Sequence, residues 1–382
     1  MVLGFPATCG DYERLARRRL PRFLADYLDG GAGTEQTLAC NTAAWSALPI
    51  RQRVLVDVSG IDTSVSLLGD DCRLPLALAP VGLAGMMARR GEAQAARAAR
   101  STGVPFTLST VGICGIGEVA ATGTAPWFQL YMLRDRGVVE AVLASAWAAG
   151  TRTLVFTVDL PLAGPRHRDV RNGLGQAGLR PRLLRLSQLL SRPGWLLDVG
   201  VRGKPHGFGS LGPHVPVADD INAFRAWIDA QFDPSITWDD VAWLRARWKG
   251  RLVVKGLLDP ADAEAAVAAG ADGIVVSNHG GRQLDGAAAT AARLPAVVAA
   301  VAGRAEVLVD GGLRSGVDVF RALALGARGV MIGRPWAWAL AAGGERGVAR
   351  LLESWHRELQ VTMALAGVTR VADIGPHHLD RG

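Results

Sequence analysis

The most chemically loaded stretch of the 382-residue chain is Ser277-Asn278-His279-Gly280-Gly281-Arg282-Gln283-Leu284-Asp285. It sets a histidine and an arginine three residues apart, beside two glycines. Histidine is suited to proton transfer near neutral pH, and arginine offers a planar fork that matches a carboxylate. Together they suggest a base working on an anionic substrate. A second stretch, Thr157-Val158-Asp159, closes an apolar run with a carboxylate, which could hold an imidazole in one tautomer and stabilise its charged form. Two glycine-rich turns, Asp310-Gly311-Gly312-Leu313-Arg314-Ser315-Gly316 and Gly333-Arg334-Pro335, have the make-up of a phosphate cradle, with backbone N–H groups at helix starts backed by arginine. A phosphate-bearing cofactor or substrate is expected there. The plainer alternative is that these glycines only turn strand into helix, with Asp310 as an ordinary cap.

Scarce residue types sharpen the reading. Only three lysines occur (Lys204, Lys249 and Lys255) among 42 basic residues, and Lys255 ends an apolar run, where a compact charge could neutralise an electron-accepting ring. Of three tyrosines, Tyr27 lies beside the turn Gly30-Gly31-Ala32-Gly33 and Tyr131 ends another run, from which it should reach the same mouth.

The elements that must carry these residues are eight short apolar runs: Leu74–Pro80, Pro105–Thr110, Pro126–Tyr131, Thr153–Asp159, Leu252–Gly256, Gly273–His279, Glu306–Gly311 and Gly329–Arg334. They are continuous rather than alternating, as strands buried on both faces should be. Alanine-rich helical segments separate them, for example Asp259–Gly270 and Ser315–Gly326, with helix-start residues and a terminal glycine. Eight such units predict a (β/α)8 TIM barrel as one domain over residues 1–382, with its chemistry on the loops after the strands. An open doubly wound sheet is the alternative, but no GxGxxG follows the first strand. Residues 1–70, with a helix around Tyr12–Leu28, read as a lid or brace at one barrel end. Residues 170–235 form a long insertion after the fourth strand.

Composition excludes several classes. A charged fraction of 20% with 49% hydrophobic residues is not that of a disordered chain. The net charge of +7 comes from dispersed arginines with no aromatic-interleaved basic patch, so nucleic acid is not an expected partner. Four cysteines (Cys9, Cys40, Cys72 and Cys114) lack metal-ligand spacing, so they read as structural, with no metal site and a reducing, cytoplasmic compartment. Neither a signal peptide nor a membrane-spanning helix is expected.

The motifs at 277–285, Phe-Gln-Leu-Tyr at 128–131, Thr-Val-Asp at 157–159, Val-Lys-Gly at 254–256, Asp-Gly-Gly-Leu-Arg at 310–314 and Ile-Gly-Arg-Pro at 332–335 together resemble the FMN-dependent L-2-hydroxy acid dehydrogenases and oxidases. The likeness covers residues 10–380 and is greatest to the bacterial quinone-linked L-lactate dehydrogenases, through Ala79-Pro80-Val81-Gly82-Leu83, Leu108-Ser109-Thr110-Val111 and Arg166-His167-Arg168-Asp169. The resemblance implies FMN as cofactor, oxidation of L-lactate to pyruvate, a quinone as acceptor and a homotetramer. It makes His279 the base, Asp159 its partner and Tyr131 the contact to the substrate hydroxyl, with Tyr27, Arg282 and Arg166 holding the carboxylate. Around FMN it places Ala79 and Pro80 near N5, Ser109, Gln129 and Thr157 along the ring edge, Lys255 at N1/C2, and Asp310 at the ribityl chain. Gly312, Arg314, Gly333 and Arg334 take the phosphate. Val111 replaces a tryptophan found in several oxidases, which keeps glycolate specificity from carrying over. A mandelate-type dehydrogenase, an oxygen-using oxidase and a catalytically silent flavin-binding barrel are the alternatives.

One local charge excess remains. Residues 176–218 carry Arg180, Arg182, Arg185, Arg192, Arg202 and Lys204 against Asp198 alone, interleaved with leucines. A helical Pro181–Leu190 would put leucines on one face, the make-up of a segment lying in a bilayer interface. That reading places the protein peripherally on the inner face of the cell membrane, and makes 177–215 removable without loss of flavin reduction. The plainer reading packs the leucines on the barrel or on a neighbouring subunit.

Overall fold

In the computed structural model, which describes residues 5–174, 176, 178–212 and 230–380, each apolar run becomes a strand. These are β1 Leu76–Leu78, β2 Thr107–Ser109, β3 Trp127–Leu130, β4 Thr153–Thr157, β5 Arg251–Leu257, β6 Gly273–Val276, β7 Glu306–Val309 and β8 Gly329–Ile332. They pair in parallel in the order β1-β8-β7-β6-β5-β4-β3-β2. A parallel bridge between Leu78 and Phe106 then joins β1 to β2 and closes the ring. The result is the expected (β/α)8 barrel.

The strands read as unbroken apolar runs because alternate residues enter two different cores. Val155, Val253, Val275, Leu308 and Met331 pack together inside the barrel. Their neighbours Leu154, Phe156, Leu252, Val254, Ile274 and Val276 pack outward beneath the helices. The same parity, carried two residues further, puts Thr157, Lys255, Ser277, Asp310 and Gly333 on the inward face at the C-terminal rim. Polar chemistry therefore begins where the inner apolar layer stops.

The other end of the barrel is sealed by an antiparallel hairpin, Val65–Leu67 with Asp70–Cys72, which the sequence reading did not separate from the N-terminal brace. Leu67, Leu68 and Cys72 join the interior cluster. Leu68 N–H donates to Glu306 Oε2 at 2.9 Å, and the Trp127 indole donates to Asp70 Oδ2 at 2.6 Å.

The single helix expected around Tyr12–Leu28 is two, α1 Cys9–Arg19 and α2 Arg22–Asp29. Pro21 lacks the donor a continuous helix needs and forces the preceding residue out of helical geometry, so Leu20 is extended at ψ 146°. The break frees α2 to cross the C-terminal mouth, and α3 Gln36–Ser46 follows the glycine-rich turn. Helix starts elsewhere are capped as the sequence indicated: Asp259 accepts from Ala261 N and Ser315 from Asp318 N.

The short helix α4 His167–Arg171 leads into the insertion, which contains α5 Leu179–Leu190, a helical turn Pro193–Trp195 and a π-helical turn Leu196–Val201. It is fastened to α2. The Gln188 side chain accepts from Phe23 N at 2.8 Å, satisfying a donor at a helix start where Pro21 supplies no side-chain cap. Asn172 donates to Asp26 Oδ2 at 2.6 Å, and Arg168 pairs with Glu35. Cys9, Cys72 and Cys114 are buried, and burial pushes the Cys9 and Cys72 thiols up to about 12. Cys40 is free and exposed on α3.

Leu67→Ala should empty a fully buried position in the barrel floor and cost about 2–5 kcal/mol. Guanidinium unfolding followed by fluorescence checks this, with a lower midpoint and an unchanged slope as the expected result.

Candidate active site

At the C-terminal mouth, α2, the strand ends and the insertion enclose a cavity of about 580 Å³. It is lined by Tyr27, Tyr131, Arg166, Lys255, His279 and Arg282 on one side. Ala79, Pro80, Asp310, Gly312, Arg314, Gly333 and Arg334 line the other. The structure thus gathers onto one surface residues that are more than 300 positions apart in sequence.

His279 sits one turn past β6 with φ at 56°, a left-handed conformation uncommon for residues that carry a side chain, though histidine takes it more readily than most. Its amide donates to Ser277 Oγ at 3.1 Å. Its Nδ1 lies 2.8 Å from Asp159 Oδ1; the carboxylate can only accept, so Nδ1 donates and the lone pair rests on Nε2. Burial is the largest influence on His279 and holds its pKa below the usual histidine value, with Asp159 pulling it partly back. Burial would raise Asp159, but His279 and Lys255 outweigh it and keep the carboxyl below its usual range. The imidazole is therefore neutral at pH 7 and able to accept a proton.

Lys255 Nζ is 3.0 Å from Asp310 Oδ2 and donates to Ser277 Oγ at 2.9 Å. Burial works against its charge, yet Asp310 and Asp159 outweigh burial and raise its pKa. Ser277 thus links the lysine to the histidine loop, a role the sequence reading did not assign.

Arg282 spends Nη1 on two carbonyls, Tyr27 O at 2.7 Å and Gly30 O at 2.8 Å. Among the described residues that leaves Nε and Nη2 without a partner, the two parallel donors that grip a carboxylate. Burial, with repulsion from Arg166, lowers its pKa to about 10. Arg166 lines the same wall, its Nε buried without a partner among the described residues. Burial also raises the Tyr131 phenol above its ordinary value and keeps it protonated.

The cofactor side was expected to hold FMN, and its donors fit that group. Ser109 Oγ donates to Gln129 Oε1 at 2.9 Å, which fixes the amide and leaves Gln129 Nε2 a buried donor with no partner. Thr157 Oγ1 and Asp310 Oδ1 are likewise buried and unsatisfied within the described residues. Such atoms cost free energy unless a ligand meets them. A Cβ built on Gly333 would meet only Val81 at 3.8 Å and would otherwise project into the cavity, so the space there is held open. Three expected phosphate or ring contacts also carry structural duties. Arg334 donates to Leu28 O, Gly280 O and Gly30 O, clamping α2 to the histidine loop. Gly312, at φ 86°, leaves room for α3, because a Cβ would fall 2.3 Å from Asn41 O. Ala79 N–H donates to Ile332 O and Pro80 has no N–H, so this pair walls the cavity and offers no free donor.

The insertion contributes a residue that sequence reasoning missed. Phe232 packs on Tyr131 with ring centroids 5.1 Å apart and lines the cavity. It lies in no motif, and a bridge from Leu133 to Phe232, backed by an Arg136–Asp233 ion pair, brings it back to the segment after β3.

This barrel, with a histidine–carboxylate pair and free arginine forks beside a site for a phosphate-bearing ring cofactor, is of the flavin oxidoreductase type. The model of the FMN-dependent dehydrogenase family matches residues 16–381, and the chain belongs to that family; FMN is its cofactor and oxidation of a 2-hydroxy acid its reaction class. It is 56% identical over 365 residues to an L-lactate dehydrogenase of Caulobacter vibrioides (strain NA1000 / CB15N), covering 95% of each chain. An L-lactate dehydrogenase of Allorhizobium ampelinum is 50% identical over 373 residues, covering 97% of this chain and 98% of the other. Among solved structures, the monotopic membrane protein (S)-mandelate dehydrogenase superposes with a TM-score of 0.93 at 34% identity, over 99% of this chain and all of that one. A mandelate oxidase superposes with a TM-score of 0.83 at 40% identity, over 98% of each.

Asp159→Asn removes the charge that pulls His279 upward, so the imidazole pKa falls further. The acid limb of substrate-driven flavin reduction should therefore move to lower pH, while the plateau rate drops roughly a hundred- to ten-thousandfold through loss of tautomer control. Stopped-flow pH profiles of wild type and variant check both.

Proposed function

We propose that the chain oxidises L-lactate to pyruvate and passes the electrons to a quinone at a membrane surface. The observation that carries the substrate reading is the pairing of a neutral His279, held by Asp159, with the free Nε and Nη2 of Arg282 in one cavity. Arg282, with Arg166 and Tyr27, holds the substrate carboxylate; Tyr131 contacts the hydroxyl; His279 Nε2 accepts a proton as the C2 carbinol becomes a carbonyl. FMN, when bound, supplies the two-electron acceptor. Gln129, Thr157, Ser109 and Lys255 would hold its ring edge, Asp310 its ribityl chain, and Gly312, Arg314, Gly333 and Arg334 its phosphate, with Ala79 and Pro80 walling the ring. The relatives named L-lactate dehydrogenase support lactate. An apolar extension of the cavity and the likeness to mandelate enzymes favour, as second reading, an aryl-substituted hydroxy acid.

The membrane reading rests on α5. Leu179, Leu183, Leu186 and Leu190 are exposed, with Leu197 and Val201 beyond them, while Gln188 is the buried residue of the helix. Leucines facing outward among arginines are what an interfacial segment requires, and they argue against packing on the barrel. The mandelate dehydrogenase neighbour is described as monotopic. No helix among the described residues is long and apolar enough to cross a bilayer. The insertion also caps α2 through Gln188 and lines the cavity through Trp195, so removing 177–215 would open the site, and point substitution is the cleaner test. Assembly as a tetramer rests on family resemblance and is read by light scattering.

Anaerobic L-lactate should bleach the flavin within a panel of 2-hydroxy acids, and His279→Gln should leave flavin bound but slow bleaching by about 10²–10⁴. Bleaching by mandelate alone would replace lactate with the second reading, and none by any member would leave a silent flavin barrel. The triple variant Leu183→Ser, Leu186→Ser, Leu190→Ser should lose tenfold or more of its sedimentation with anionic vesicles and keep its flavin reduction. Equal sedimentation of both proteins would remove the membrane role of α5.

A further inference from the structure

The cavity has an arm that the lactate chemistry does not use. Beyond Tyr131 and His279 it continues beneath the insertion, walled by Phe23, Leu189, Trp195, Leu196, Phe208 and Phe232. A three-carbon hydroxy acid has only one methyl group to place against apolar walls and cannot occupy four aromatic rings. Two polar groups also line this arm. Arg185 donates through Nη1 to the Gly173 carbonyl, and His206 Nε2 lies 2.8 Å from Val199 O. That carbonyl can only accept, so His206 Nε2 donates and its Nδ1 retains a lone pair.

The elements that wall the arm are thin and two-sided. Leu189 and Leu196 line the cavity, whereas their chain neighbours Leu190 and Leu197 are exposed. Gly200, in the π-helical turn, lines the arm, and Val201 after it is exposed. A π-helical turn is rare and recurs at functional sites. One layer of helix therefore separates an aromatic chamber, continuous with the flavin site, from the outward leucine face.

We propose that this chamber is the binding site for the oxidising co-substrate, a quinone whose ring lies among Phe23, Trp195 and Phe208 and whose carbonyls meet Arg185 and His206. The inference rests on the reading that a quinone is the acceptor, and it adds where that acceptor binds. The balance is complete: the hydroxy acid loses one C–H and one O–H hydrogen and gains a C=O bond. The two electrons and two protons end on the quinone, whose two carbonyls become hydroxyls. The Arg185 guanidinium donates to a quinone carbonyl, and His206 Nδ1 accepts from the hydroxyl once formed. Apolar aromatic burial supplies most of the affinity, and the two polar groups fix orientation.

The test uses the FMN-loaded full-length enzyme, an azido-benzoquinone photolabel and decyl-ubiquinone as competitor. The label should attach within 185–212 or at Phe23 and be displaced by decyl-ubiquinone, a readout that needs no turnover and so stands apart from the identity of the hydroxy acid. Leu196→Trp, which fills the chamber, should raise the KM for decyl-ubiquinone at least tenfold, while the rate of flavin reduction by L-lactate stays within twofold. Phe208→Ala should raise the same KM without filling the arm, which guards against a misfolded first variant. Labelling elsewhere, an unchanged KM in both variants, or turnover with a cytochrome but not with the quinone would each overturn the proposal.

Discussion

Burying a guanidinium costs several kcal/mol unless its donors are met, and this chain buries Arg282 and Arg334 under one turn of α2. Both donate to the same carbonyl, that of Gly30, at 2.8 Å. Burial depresses both pKa values, helped by repulsion from Arg166 at Arg282 and from Arg282 and Arg314 at Arg334, and backbone carbonyls of Tyr27, Leu28, Gly30 and Gly280 take up the donors. The rest of the mouth follows from that requirement. The break at Pro21 lets α2 reach across the barrel, the last turn of α2 and its C-cap present the Tyr27, Leu28 and Gly30 carbonyls to the arginines, and the remaining N–H groups point the site toward anions. A carboxylate on one arginine and a phosphate near the other would complete what the protein leaves unpaired.

A second buried charge system stands beside the first. Asp159 with His279 and Lys255 with Asp310 form two pairs at the strand ends, at 2.8 and 3.0 Å, bridged through Ser277. Each member sets the protonation of the next. Asp159 stays ionised because His279 and Lys255 face it, and His279 stays neutral because burial outweighs Asp159. A base that is free at neutral pH and a lysine that stays charged in a buried position arise from the same local field.

The insertion joins the catalytic mouth to the outer surface. Its inward side supplies Phe232 against Tyr131, Gln188 at the start of α2 and the aromatic chamber; its outward side is a row of exposed leucines.

The eight strands and the polar residues that end them were legible from the chain alone, because strand parity is a local property. An inward apolar residue such as Val253 fixes the side of Lys255, and Val275 that of Ser277 two positions on, whatever the rest of the fold does. Helix caps at Asp259 and Ser315 were legible for the same reason, and so was the phosphate-type make-up of the turns at 310–316 and 333–335. What needed the tertiary structure was every fact that depends on chain segments meeting. The split at Pro21 was written in the sequence, but the direction α2 then takes is set by Arg334, more than 300 residues later. The hairpin plug looked like part of a brace until Leu67 and Leu68 were seen to fill the barrel floor. Gln188 and Phe232 carry no motif, since a cap and a ring contact are defined by what they touch. Only packing could decide that the leucines of α5 face outward, because a helical period says which residues share a face but not which face meets the protein.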